Sequence, residues 1–159
     1  MSAGRRIMPM QKRETLMSTE QNKQLLRAAF EALGRGDSRP YLDLLDDDFA
    51  FTITGHNPWS RTIRGKEAVR RELYGPLFAQ FADRYTAQLV NLIAEGDMVV
   101  VEHHGCVTTK RGDLYNNEYC LVCRMENGRL KSMKEYADSL LVDRVLDPPP
   151  WAKGAEPVA

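Results

Sequence analysis

The 159-residue chain has no apolar run long enough to cross a bilayer, only three cysteines and three histidines, and no excess of either charge. Each scarcity removes a class of function. A membrane helix needs about 20 predominantly apolar residues, and a membrane partner is not expected. Lys and Arg total 22, as do Asp and Glu, so no whole-molecule field draws the chain onto nucleic acid or anionic lipid. Cys120 and Cys123 form a Cys-x-x-Cys pair, a spacing that suits zinc or redox chemistry. They lie in the apolar run Tyr119 to Cys123, however, where strand alternation sends the two side chains to opposite faces, and no second pair or histidine cluster completes a metal site. Buried structural thiols are expected, with no metal and no cofactor. The odd number of thiols, together with a basic segment 1–17 that lacks the apolar stretch of a secretory signal, points to a reducing cytoplasm.

What is present is an ordinary globular composition, 43% hydrophobic and 28% charged, enough for one core and too little for two. The expected organisation is a flexible N-terminal extension (1–18), one domain (19–146) and a Pro-rich tail (147–159). Successive prolines in Asp147-Pro-Pro-Pro-Trp151 remove backbone donors and fix φ, so the tail is extended. Trp151 is its candidate anchor, against the domain or a partner subunit.

Leu25, Leu26, Ala29, Phe30 and Leu33 recur at helical spacing after a Ser18 or Thr19 cap, and Gly34 and Gly36 end that helix. A short second helix follows Asp37-Ser38, with Pro40 in its first turn and Tyr41, Leu42 and Leu45 as its apolar side. The triplet Asp46-Asp47-Asp48 reads as a solvated turn. Phe49 to Ile53 alternates as a strand, and Gly55 to Trp59 breaks it into a loop. A third helix starts at Gly65, and Gly75-Pro76 must kink or split it. From there the period is two: strands are expected at Tyr85 to Ala94, Met98 to Thr109, Tyr115 to Met125 and Leu130 to Asp138, with glycine turns between them. A short helix from Ser139 to Val145, capped by Asp138, closes the chain. The predicted fold class is α+β: a cone-shaped, strongly curved mixed or antiparallel sheet wrapped around three N-terminal helices, with a cavity at the open end.

The element order, the stretch Arg64 to Val69, and the ending Asn127-Gly-Arg-Leu130 with Lys134-Glu-Tyr-Ala-Asp138 resemble the SnoaL-like, or nuclear-transport-factor-like, superfamily of cystatin-like α+β barrels. The resemblance spans about Thr19 to Val145. It implies relatives as different as ketosteroid isomerase, polyketide cyclases, scytalone dehydratase and limonene epoxide hydrolase, and therefore does not specify a reaction. The carboxylate base of ketosteroid isomerase aligns near Ile53 or Thr54 and its tyrosine near Ala29, so that set of groups is missing. The hydrolase pattern places His103 at its arginine, Glu135 at its final aspartate and Asn57 at its asparagine. Its tyrosine and first aspartate fall at Gly55 and Gly105.

Strand parity puts Val99, Val101, His103 and Gly105 on one face, and the resemblance implies that this face is inward, with Asn117, Tyr119, Leu121, Met133 and Glu135. The candidate catalytic residues are His103, Glu135 and Asn57; the candidate substrate contacts are Tyr119, Asn117, Trp59, Val101, Leu121 and Met133. Glu135 is expected to orient His103 and raise its pKa, leaving imidazole to move a proton near neutral pH. Two readings stay open. One is a cofactor-free lyase or isomerase for a small hydrophobic carbonyl or hydroxy compound, with epoxide hydrolysis as a variant; the other is a non-catalytic binding or assembly module in which His103 and Glu135 satisfy each other. Trp59 either walls the pocket mouth or packs beneath its loop. The outer sheet face, with His104, Glu118 and Tyr136, is the expected surface of a homodimer.

Overall fold

A computed structural model describes residues 17–152; positions 1–16 and 153–159 lie outside the described residues, with most of the N-terminal extension and the end of the tail. Helix α1 (Thr19–Gly34) opens on a capping box, in which Ser18 Oγ accepts the Gln21 N–H and Gln21 Oε1 accepts the Ser18 N–H. It buries Leu26, Ala29 and Phe30 against the sheet. Helix α2 (Arg39–Leu44) carries Pro40 in its first turn, where the missing N–H has no partner to lose.

Strand β1 (Leu45–Ile53) contains the acidic triplet that local reasoning reads as a turn. The reason is tertiary: Lys131, from a strand 85 residues later, meets Asp46 at 3.1 Å and Asp48 at 3.8 Å and offsets their repulsion. A short strand β2 (Arg61–Arg64) hairpins back on β1. Four residues with a single buried side chain, Ile63, carry too little period to be predicted.

The third helical stretch is widened rather than split. Its ends, α3 (Lys66–Ala68) and α4 (Gly75–Phe78), flank a π-helical segment, Val69–Tyr74, in which the Gly75 N–H reaches the Arg70 carbonyl five residues back. Pro76 supplies the cause, because its ring crowds the carbonyl of the preceding turn and it has no N–H to donate there. The wider turn faces the cavity with Leu73 and Tyr74.

The meander follows as β3 (Thr86–Glu95), β4 (Met98–Cys106), β5 (Glu118–Glu126) and β6 (Arg129–Ala137), then α5 (Ser139–Val145). Strands β4 and β5 are shorter at their shared end than their alternation suggests, because residues 107–117 leave the ladder for a loop pinned by single bridges, Phe81 to Thr109 and Thr108 to Leu114. Asp138 caps α5 by accepting the N–H groups of Leu140 and Leu141.

The six strands form one mixed sheet in the order β2-β1-β6-β5-β4-β3, parallel between β1 and β6 and antiparallel elsewhere. A register shift between Leu89 and Asn91 returns Leu92 to the face already occupied by Ala87 and adds curvature. The result is an α+β cone whose concave face closes on α1, α2 and the widened helix. Cross-strand pairing sorts the side chains into rows. Leu92, Val101, Leu121, Glu135 and Ile53 form one inward row; Ile93, Val100, Val122 and Lys134 form the outward row beside it. Parity also corrects the thiol expectation: Cys123 is buried, but Cys106 and Cys120 sit on the outer face and are exposed. None of the described helices is long and apolar enough to cross a membrane.

Candidate active site

The concave face does not pack completely against the helices. A cavity of about 370 Å³ remains, bounded by Phe30 of α1, Tyr41 of α2, Phe51 and Ile53 of β1, the widened helix, the inner sheet face and, on the far side, Val142 and Leu146. Its lining is aliphatic and aromatic with a few polar points, the usual make-up of a small-molecule site.

Of the predicted residues, His103, Glu135, Tyr119, Leu121, Met133 and Trp59 line this space. Three do not. Val101 is wholly buried in the core. Asn117 turns its amide to the backbone of Asp138, accepting that residue's N–H at 3.0 Å and donating to its carbonyl at 3.1 Å. Asn57 organises its own loop by accepting the Trp59 N–H at 2.8 Å. A backbone partner takes each amide before the cavity can: a local one for Asn57, and for Asn117 one brought near by the fold, 21 residues on in sequence.

The expected His103–Glu135 pair is absent. Both side chains face the cavity, but β5 lies between their strands, and at about 4.8 Å per strand their backbones are roughly 10 Å apart. The Tyr119 ring, stacked on the imidazole with centroids 4.6 Å apart and planes 6° from parallel, occupies the β5 side. His103 Nε2 shares a 3.2 Å hydrogen bond with the Tyr85 hydroxyl, and buried Nδ1 has no partner among the described residues. Burial, with some repulsion from His104, pulls the His103 pKa down to about 4. The imidazole is therefore neutral at pH 7, opposite to what pairing with a carboxylate would produce.

Glu135 sits in a different environment. Its neighbours in the row are apolar, its carboxyl has no hydrogen-bond partner among the described residues, and burial alone pushes its pKa up to about 7. Around it stand Tyr41, Tyr74, Tyr85, Tyr115 and Tyr119. Burial raises the pKa of each of these phenols, and the Glu135 charge adds to the rise in every one. All five keep their protons at neutral pH and remain available as donors.

Their hydroxyls are linked rather than scattered. Tyr41 and Tyr74 share a bond of 2.7 Å. Tyr119 donates to the Tyr115 oxygen at 3.2 Å, and the Asn117 amide approaches the same oxygen at 3.4 Å. With two donors directed at its oxygen, Tyr115 keeps its own proton free for the cavity. Close packing of Tyr85 and Tyr119 depends on Gly105, where a Cβ would stand 2.6 Å from the Tyr85 hydroxyl and 2.9 Å from the Tyr119 ring.

Four of these tyrosines, at 41, 74, 85 and 115, were not singled out by sequence reasoning. A signal existed: tyrosine in place of phenylalanine on an apolar stripe needs a partner for its hydroxyl, and five of the six tyrosines in the chain line one cavity. Trp59 both walls the cavity and packs beneath the tail. Its Nε1 donates to the Asp147 carbonyl, and its ring meets Trp151 edge to face at 5.5 Å.

A curved mixed sheet closed by helices around one pocket defines a protein of the nuclear-transport-factor-like, cystatin-like fold. The chain belongs to the SnoaL-like domain family, whose family model matches residues 26–133. Solved structures agree on the fold. Bal32a, from a soil-derived mobile gene cassette, superposes with a TM-score of 0.70 at 21% identity over 81% of this chain and 98% of its own. A nuclear-transport-factor-like protein from Burkholderia thailandensis E264 gives 0.69 at 23% identity, over 83% and 100%. A protein from Jannaschia sp. CCS1, assigned as a SnoaL-like polyketide cyclase, gives 0.67 at 17% identity, over 92% and 100%. No curated protein matches the chain in sequence.

Proposed function

We propose that the protein is a cofactor-independent isomerase or lyase that moves a proton on a small hydrophobic carbonyl or hydroxy compound, with Glu135 as general base and then acid. The observation that carries this reading is the unpartnered Glu135 carboxyl, held near pKa 7 by burial among tyrosine hydroxyls. A carboxylate with that pKa takes a proton from carbon beside a carbonyl far better than an ordinary one and returns it at neutral pH. Charge developing on the substrate oxygen needs a fixed donor, and the free proton of Tyr115, its oxygen braced by Tyr119 and Asn117, fits that part. His103 is then a positioning residue: neutral, stacked on Tyr119 and bonded to Tyr85.

Simple ketones suffice for the test. Small aryl and alkyl ketones are incubated with the protein in deuterium oxide, and uptake of deuterium beside the carbonyl is followed by NMR. Exchange is expected in the wild type and lost in Glu135→Gln. Full exchange in that variant removes Glu135 from the mechanism.

The second reading, a binding module, draws on the aromatic lining, which would hold a ring system without any chemistry; ligand-induced stabilisation with no exchange or product favours it. The outer sheet face supports a homodimer in the same proposal, since Ile93 is 61% and Tyr136 47% exposed there. Ile93→Lys would then shift the mass measured by light scattering to that of a monomer. The exposed free thiols Cys106 and Cys120 accord with a reducing cytoplasm.

A further inference from the structure

Leu33, Ser38, Phe78, Phe81 and Tyr85 line both the cavity and an adjoining open groove, so the groove lies directly against the cavity that holds Glu135. The groove differs in character from the cavity. Beyond Phe78, which is 47% exposed, the groove is walled by Arg35, Asp37, Arg39, Asp83 and Arg84. Both carboxylates are already engaged: Arg39 donates to the two oxygens of Asp37, each at 2.9 Å, and Asp83 accepts the Thr108 N–H at 2.8 Å. Arg35 and Arg84 have no carboxylate partner among the described residues.

Arg84 is also held in place. Its side chain lies across Gly36, where φ is +77° and a Cβ would stand 2.5 Å from Arg84 Cδ, and its guanidinium donates to the Gly36 carbonyl at 3.3 Å. A guanidinium seated in this way, with donors to spare, is pre-organised for an anion.

We infer that the groove is the outer half of the ligand site and takes the carboxylate end of an amphipathic molecule whose apolar body fills the inner cavity. Arg84 and Arg35 are the anion contacts. The orientation follows from charge, since Glu135 at the inner end repels a second carboxylate and the arginines at the outer end attract it. This inference rests on the reading of the inner cavity as a ligand site.

Two probes matched in their apolar body separate the claims: 2-naphthylacetate and the neutral 2-(2-naphthyl)ethanol, titrated by calorimetry at neutral pH and low salt. The acid is expected to bind about five- to tenfold tighter than the alcohol, as a partly exposed charge-assisted contact provides. The advantage should shrink with added salt. In the double variant Arg35→Met, Arg84→Met it should vanish while the alcohol keeps its wild-type affinity. Equal binding of the two probes, or an acid preference that survives in the double variant, overturns the anion site and leaves the inner cavity standing. Failure of both probes to bind overturns the cavity reading and this inference with it.

Discussion

Replacing Glu135 by glutamine should stabilise the protein, and by an amount that depends on pH. The wild-type carboxyl has a folded pKa of about 7 against an ordinary 4.5, so below pH 4.5 it is protonated in both states and costs nothing electrostatic. Between 4.5 and 7 the unfolded chain releases its proton first, and stability falls as pH rises. At about 1.4 kcal/mol per pH unit, the loss reaches about 3 kcal/mol by pH 8. Glutamine keeps the shape without the charge, so the advantage of Glu135→Gln should grow from nearly nothing at pH 4.5 to about 3 kcal/mol at pH 8, roughly 10 °C in melting temperature for a domain of this size. His103 partly masks this in the wild type. Its folded pKa is depressed to about 4, so its linkage runs the other way, with stability lost as pH falls from 6.5 toward 4. The two slopes oppose each other across about pH 4.5 to 6.5, and the variant should expose the histidine slope alone. Urea titrations of both proteins at a series of pH values measure the difference. A difference that stays constant from pH 4.5 to 8 would refute the half-buried, desolvated and unpartnered carboxylate. A stabilised variant without turnover is the expected signature of a site that trades stability for chemistry.

Tyr115→Phe should leave the fold intact and lower kcat about a hundredfold or more, the usual effect of deleting one donor to a developing oxyanion, while KM changes little; steady-state kinetics on the exchanging ketone decides it. His103→Phe preserves an aromatic ring beside Tyr119 but removes the titration, so the acid-side stability loss between pH 6.5 and 4 should shrink by about 3 kcal/mol, read from denaturant midpoints against wild type. Arg111 donates to the Asp147 carboxylate and the Val145 carbonyl and thereby fastens the tail. Arg111→Ala should cost about 1 kcal/mol and make the Trp151 segment more susceptible to limited proteolysis; an unchanged cleavage rate at that segment would show that the tryptophan pair suffices to hold it.

Where side-chain period and end signals are strong, the elements fall close to where the chain predicts them. Helix α1 stops at Gly34, α5 starts after Asp138, and the four meander strands fall within a few residues of their alternating runs except where β4 and β5 yield to the loop at 107–117. Departures occur where the deciding partner is distant in sequence. Asp46 and Asp48 became strand because Lys131 faces them, and the helix at 66–78 stayed continuous because a wide turn absorbed Pro76.

The site divides along the same line. Parity is local, so the chain by itself determined that His103 shares a face with Val101 and that Cys120 and Cys123 point apart; the family resemblance supplied the inward direction for Glu135. Only the tertiary structure decided what each inward group meets. The Tyr119 ring took the place beside His103, the Asp138 backbone claimed Asn117, and the convergence of α2, the widened helix and the sheet brought five tyrosines around one carboxylate. A pKa depends on distance and desolvation, both set by packing, which is why the value near neutrality falls on Glu135 and not on the histidine.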